Sequence, residues 1–191
     1  MRTRVIAVLC LVLASSSLAL AAPARPAVRA PARDRQVFLS IKELMDSIID
    51  PSADVLWGAA GTVVDKDGIH DLAPKTDDAW HDVRRGAVRI VEGANLLMMP
   101  VRAAAPPGTK SDTPGVELEP SEIAALMRKD RRAFDAFARA LQGIGMEALK
   151  AIDAKDIDTL MDLGARMDGV CESCHQTFWY PSVVAPQAGG Q

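Results

Sequence analysis

Hydrophobic residues recur at three- and four-residue intervals over four long stretches of this chain, the spacing that keeps one face of an α-helix apolar. The first stretch covers about residues 36–58, with Val37, Ile41, Leu44, Met45, Ile48, Val55 and Leu56 in register. Asp34 is its expected N-cap. Pro51 predicts a kink, or a break with a restart near Ser52, because proline lacks an N–H and its ring meets the preceding turn. The second stretch covers about 77–99, where Trp80, Val83, Ala87, Ile90, Ala94 and Leu97 share a face. Thr76 or Asp77 caps it and Pro100 ends it. The third runs about 121–154, capped by Ser121 behind Pro120, with Ile123, Met127, Phe134, Phe137, Leu141, Ile144, Ala148 and Ile152 in phase. Gly143 and Gly145 each weaken that helix by about 1 kcal/mol relative to alanine, which implies a bend or a close helix contact. The fourth starts at Asp156, shows Ile157, Leu160, Leu163, Met167 and Val170, and stops at Pro181.

Between the first two stretches, Thr62-Val63-Val64 and Ile69-His70-Asp71 flank Asp65-Lys66-Asp67-Gly68. This reads as a small β-hairpin with Gly68 at the left-handed position of a three-residue loop. Its aspartates do not make a calcium loop, which requires a third acid, a glycine at the sixth position and a distal glutamate. Residues 101–120, rich in Pro, Gly and Ala, form a long surface crossover, either a plain linker or a lid or docking loop. Short links between the first two and the last two stretches predict antiparallel neighbours, and the crossover permits the same in the middle. The expected fold is all-α: an antiparallel four-helix bundle with a small β-hairpin between helices 1 and 2.

The ends of the chain narrow the setting. Arg2 and Arg4 precede an apolar run over residues 5–13, followed by Ala19-Leu20-Ala21, the pattern of a signal peptide over residues 1–21. The run is too short to span a bilayer, so no membrane span is expected after cleavage. Cys10 leaves with it. A bacterial periplasm is the expected location. Residues 22–33 read as a disordered leader, 34–184 as one domain, and 185–191 as a loose tail. Cleavage removes two arginines and no acid, which moves the net charge from −3 to −5. That balance argues against nucleic acid and favours partners with basic or neutral surfaces. Aromatic residues make up only 4% of the chain, a thin supply for a single core.

The candidate chemistry lies at the end of the fourth stretch. Cys171-Glu172-Ser173-Cys174-His175 is a Cys-x-x-Cys-His run, the attachment signature of c-type haem. Thiols three positions apart lie about one helical turn apart, so both sulfurs reach the two vinyl groups on one haem edge. His175 is then carried under the iron as its proximal ligand. A covalent haem would also supply the flat apolar volume that the aromatic residues do not. Three other readings use the same residues. Zinc could take Cys171 and Cys174 with two of His70, His81 and His175. A thioredoxin-like redox pair would need a strand before the cysteines, and none is visible. A disulfide leaves His175 without a role. No nucleophile–base constellation and no second cofactor motif is present, so the expectation is not an enzyme.

A haem signature near the C-terminus, behind four helical stretches, resembles the class II c-type cytochromes. These are cytochrome c prime and its low-spin relatives, and the resemblance covers roughly residues 36–180. It implies an up-down-up-down bundle whose first helix crosses the distal side of the iron. Lys42-Glu43-Leu44-Met45 is similar to the family's stretch at that point, which implies Met45 as the sixth ligand; packing in the core is its other role. Met98 and Met99 are weaker candidates. With His175 and Met45 on the iron, the implied function is electron transfer between redox partner proteins. With Met45 packed instead, it is five-coordinate binding of NO or CO. A haem-bearing subunit of a larger respiratory complex is a third option.

The resemblance also implies pairing of two chains through their first two helices, as a homodimer. The sequence departs from it in three places. Ile41 stands where a basic residue is usual, with Lys42 beside it; residues 176–180 carry no charge; and the hairpin and crossover are extra. Asn95, near Glu92, could hydrogen-bond a propionate or a distal ligand, and Arg102 could reach a propionate. Trp57, Trp80 and Trp179 pack around the haem or fill the bundle ends, while His70 and His81 read as surface residues.

Overall fold

The computed structural model describes residues 36–100 and 102–181. The expected signal peptide, leader, Asp34 cap and tail lie outside the described residues. The described residues are mostly helical, with five helices and one two-stranded antiparallel sheet among them.

Helix α1 runs continuously through Ile41–Leu44, Met45–Ile49 and Asp50–Trp57. It begins later than its periodicity implied, because Ser40 is the cap and Val37 lies ahead of it. The Ser40 hydroxyl accepts from the Glu43 N–H at 3.2 Å, and the Glu43 carboxylate accepts from the Ser40 N–H at 2.8 Å. Pro51 does not break this helix. Instead, Met45–Ile49 just ahead of it is π-helical, with the Asp50 N–H donating to the Met45 carbonyl five residues back. The wider turn makes room for the proline ring, and the Ser52 hydroxyl donates to the Ile48 carbonyl at 2.5 Å.

Strands β1 (Thr62–Asp65) and β2 (Gly68–Asp71) form the expected hairpin, with Asp65 opposite Gly68. The connection is therefore the two residues Lys66 and Asp67 rather than three. Gly68 has the positive φ, +130°, that its position called for.

Helix α2 (Asp77–Leu97) is capped by Thr76, whose hydroxyl accepts from the Ala79 N–H at 3.1 Å. The single third helix of the sequence reading is two helices, α3 (Pro120–Lys129) and α4 (Arg131–Asp153). Asp130 separates them. Its backbone leaves the helical region (φ −128°, ψ 62°), and its carboxylate accepts from the Ala133 N–H at 2.9 Å to start α4. A short polar side chain competes with the helix ladder in this way, and hydrophobic spacing is blind to it. The cap of α3 is Glu119 rather than Ser121, with Pro120 at the first helical position. Helix α5 (Ile157–Phe178) is capped by Asp156 through the Thr159 N–H at 3.0 Å.

Helix α2 packs on α4, α4 on α5, and α1 on both α2 and α5, which closes a ring of contacts around one core. Leu44, Ile90, Ile123, Leu160 and Met167 are fully buried in it. Glycines set the closest approaches. A Cβ on Gly93 would lie 2.9 Å from Ile49 Cγ1, and one on Gly145 would lie 2.9 Å from Val91 Cγ2. The close contact expected in the glycine pair of α4 is thus at Gly145, while Gly143 faces open space.

The crossover is more than a linker. Its Ala103 and Ala104 carbonyls accept the first N–H groups of α1, from Ile41 and Lys42, at 2.8 and 2.9 Å. Ala104 and Ala105 are buried. No helix among the described residues is long and apolar enough to cross a membrane.

Candidate functional site

The last turns of α5 carry Cys171, Cys174, His175 and Phe178 at helical spacings of three and four, on one strip of the helix. Phe178 anchors the strip. It is buried and meets Phe134 and Phe137 of α4 edge to face, with ring centroids 5.5 and 6.3 Å apart. The strip faces a cleft of about 400 Å³, within the range of small-molecule sites. Helix α1 forms a second wall with Met45, Ile49, Ala53 and Trp57, and α4 a third with Phe134, Phe137 and Leu141. Met45, Cys171, Cys174 and His175 thus line one cavity, although Met45 lies at the opposite end of the domain in sequence. Met45 also opens the π-helical segment, a backbone irregularity that often accompanies function.

The interior holds neutral donors. Burial pushes the Cys171 thiol up to about 11, helped by the Asp168 and Asp50 carboxylates, and pushes Cys174 up to about 12. Burial also lowers His175, which keeps its imidazole neutral and able to donate a lone pair. Neither cysteine is in a disulfide. Thiols held this far from the thiolate are poor redox nucleophiles, and they sit on a helix without a preceding strand.

Charge is confined to the rim, where Asp46, Asp50, Glu117, Asp168 and Glu172 outnumber Lys42. Lys42 pairs with Asp112 of the crossover at 2.7 Å, which raises its pKa. Glu172 accepts from the Tyr180 hydroxyl at 2.6 Å and from Gln176 at 2.7 Å. Burial and that carboxylate push Tyr180 up to about 12, and its ring meets His175 edge to face. The N–H groups of Trp179 and Tyr180 donate to the His175 carbonyl, and the Leu118 N–H ties the crossover to the Trp179 carbonyl at 2.9 Å.

Two thiols one turn apart, a neutral imidazole behind them, a thioether across the cavity and apolar walls fit a flat apolar cofactor held through sulfur and nitrogen. The donors of the zinc reading are not brought together. His70 Nε2 lies 3.0 Å from Asp65 within the hairpin, and His81 is exposed on α2. No group of three or more His, Cys, Asp or Glu among the described residues is arranged to hold a metal ion.

The remaining candidates divide. Trp57 and Trp179 line the cleft, and the Trp57 indole donates to the Gly164 carbonyl at 3.1 Å, joining α1 to α5. Trp80 packs in the core. Met98 and Met99 lie past the end of α2 and outside the cleft lining, which takes only Leu97 from that end. Glu92 and Asn95 are exposed. Sequence reasoning missed the π-helical segment and the acidic rim. Pro51 marked an irregularity in α1 without revealing its form, and Glu117 lay in a segment that carried no pattern.

Fold and site define a helical protein with a thiol–imidazole–thioether cleft. Comparison with protein-family models, curated proteins and solved structures finds no match.

Proposed function

We propose that this protein is a periplasmic, monohaem class II c-type cytochrome that carries electrons between redox partner proteins. Cys171 and Cys174 hold the haem c covalently, His175 is the proximal ligand of the iron and Met45 the distal one. The observation that carries this reading is the convergence of Met45 with the Cys-x-x-Cys-His strip on one apolar cleft. The ring of contacts among α1, α2, α4 and α5, and the short α4–α5 link, support an up-down-up-down bundle around it.

When bound, the haem supplies a one-electron iron couple whose potential the methionine raises. The chain does the rest. Phe134, Phe137 and Phe178 keep water from the cavity, and burial keeps His175 neutral as a ligand must be. Lys42, beside the position where the family's basic residue is usual, lies on the rim but is already paired with Asp112. The acidic rim presents a negative face to a basic partner, so association weakens with salt.

The test begins with the protein matured in a periplasm. Its mass should exceed that of the chain by one haem, and its colour should survive acid-acetone extraction. Replacing Cys171 and Cys174 by alanine should abolish both while leaving a helical protein. The ferric form should show the near-infrared charge-transfer band of methionine ligation. Met45→Ala should remove that band, lower the potential and open the iron to carbon monoxide. Colourless or zinc-bearing protein would overturn the reading. A high-spin wild type that takes up carbon monoxide readily would replace the carrier by a five-coordinate gas-binding protein, with Met45 merely packed.

A further inference from the structure

A second cavity, of about 620 Å³, lies between crossover residues 102–105 and the α3–α4 junction. Arg102, Arg128 and Arg131 line it together with Ser121, and no carboxylate among the described residues does. We propose that this cavity binds a small dianionic oxyanion of the phosphate or dicarboxylate class, independently of the haem reading.

The argument rests on what each arginine lacks. Arg102 Nε is buried and has no hydrogen-bond partner among the described residues. Its other nitrogens reach only neutral acceptors, the Leu39 carbonyl and the Met99 sulfur. Burial lowers its pKa with no acid opposing the effect. A guanidinium carries five N–H donors and cannot shed its proton to relieve this, so its charge and the spare donors on its Nη groups call for an anion. Arg128 is exposed at the mouth with no ion-pair or hydrogen-bond partner among the described residues. Arg131 differs: its Nε pairs with Asp135 at 2.8 Å and its Nη2 holds the Leu97 and Met99 carbonyls. The acids nearest in sequence are also committed, Asp130 to the Ala133 N–H at 2.9 Å, Asp135 to Arg131, and Glu122 to the Glu119 N–H at 2.9 Å. Arg102 and Arg128 are thus left without an ion-pair partner among the described residues, which is why a dianion fits. The alanines of residues 103–105 and Ala124 leave the space, and the Ser121 hydroxyl adds a donor. An oxyanion seated there would take charge-assisted bonds from two guanidinium groups, the strongest arrangement open to either.

The full-length protein should be titrated calorimetrically with inorganic phosphate and, separately, with malonate at low ionic strength. We expect one site per chain, and a melting temperature that rises with the ligand that binds. Arg102→Gln and Arg128→Gln should each weaken binding about tenfold, while Arg84→Gln on the outer face of α2 should leave it unchanged. Uptake of phosphate alone or malonate alone supports the proposal and fixes the class. Uptake of neither overturns it, as does binding that both variants leave intact. Arg128 is exposed and its replacement leaves the fold in place, so this variant decides the matter if Arg102→Gln does not fold.

Discussion

Ile41 and Met127 have a cavity on each side. On one side, the cleft between α1, α4 and α5 encloses sulfur, imidazole and aromatic rings and keeps its carboxylates at the mouth. On the other, residues 102–105 and the α3–α4 junction bring together guanidinium groups, with Arg128 exposed at the mouth and no acid among the described lining residues. Burial acts on both by the same rule, disfavouring whatever is charged, and the outcomes diverge because the groups differ. A thiol or an imidazole answers burial by staying neutral, so the cleft is stable as it stands and suits an apolar guest. An arginine remains charged at any accessible pH, so the second cavity keeps its positive charge and suits an anion. The same rule therefore leaves neutral donors in the deep cleft and persistent positive charge in the shallower, arginine-lined one.

The harshest way to break this comparison is to remove the wall. Ile41 is 2% exposed, and Ile41→Ala should cost about 2–5 kcal/mol of stability, read by denaturant unfolding. Both sites should respond, in the methionine band and in the affinity for phosphate or malonate. A change confined to one of them would show that the two cavities do not share this wall in solution.

A subtler substitution should separate them. A Cβ on Gly93 would collide with Ile49 Cγ1 at 2.9 Å and crowd Ile48 at 3.3 Å, both in the π-helical segment that begins at Met45. Overpacking of this kind costs about 1–3 kcal/mol, from which the helix propensity of alanine returns about 1. Gly93→Ala should therefore destabilise by up to about 2 kcal/mol and perturb the methionine band without touching anion affinity. Gly143→Ala, placed in open space, should instead stabilise by about 1 kcal/mol.

The cleft and the arginine cavity were unequally legible in the sequence. Cys171, Cys174 and His175 are contiguous, and their spacing alone states what they can hold. Met45 came through a family resemblance, and hydrophobic spacing would have assigned it to the core like Leu44 beside it. The helices on either side of the crossover were readable because their apolar faces repeat. The break at Asp130 was not, because it depends on one carboxylate turning back to the Ala133 N–H while the hydrophobic phase continues through it. The π-helical turn was half visible: Pro51 announced a disturbance, but the backbone placed it upstream. Arg102, Arg128 and Arg131 carry no motif at all. They become a site only when the crossover folds against the α3–α4 junction, and Arg102 is distinctive only for the partner its Nε does not have.

The smallest expected effect tests whether the two cavities share their start at α1. Ser40 and Glu43 cap the turn that carries Ile41 and Lys42, one residue for each cavity wall and rim. Ser40→Ala should cost about 1 kcal/mol, as loss of an N-cap does, and no more, because the Ala103 and Ala104 carbonyls still hold the first two N–H groups. The pH dependence has a definite sign. The Ser40 N–H, and then its hydroxyl, hold the Glu43 carboxyl below the ordinary glutamate value. A carboxyl lowered on folding contributes stability above its unfolded pKa, and that contribution is lost as the pH falls through the lower, folded value. The wild type should therefore lose stability as the solution is acidified below about pH 4.3, the ordinary glutamate value. Glu43→Gln should flatten that part of the curve. Ser40→Ala should flatten it only in part, since the backbone N–H remains. A Glu43→Gln protein with the wild-type acid slope would show that the sensitivity lies elsewhere, among the rim carboxylates of the cleft, and that α1 is anchored by the crossover alone.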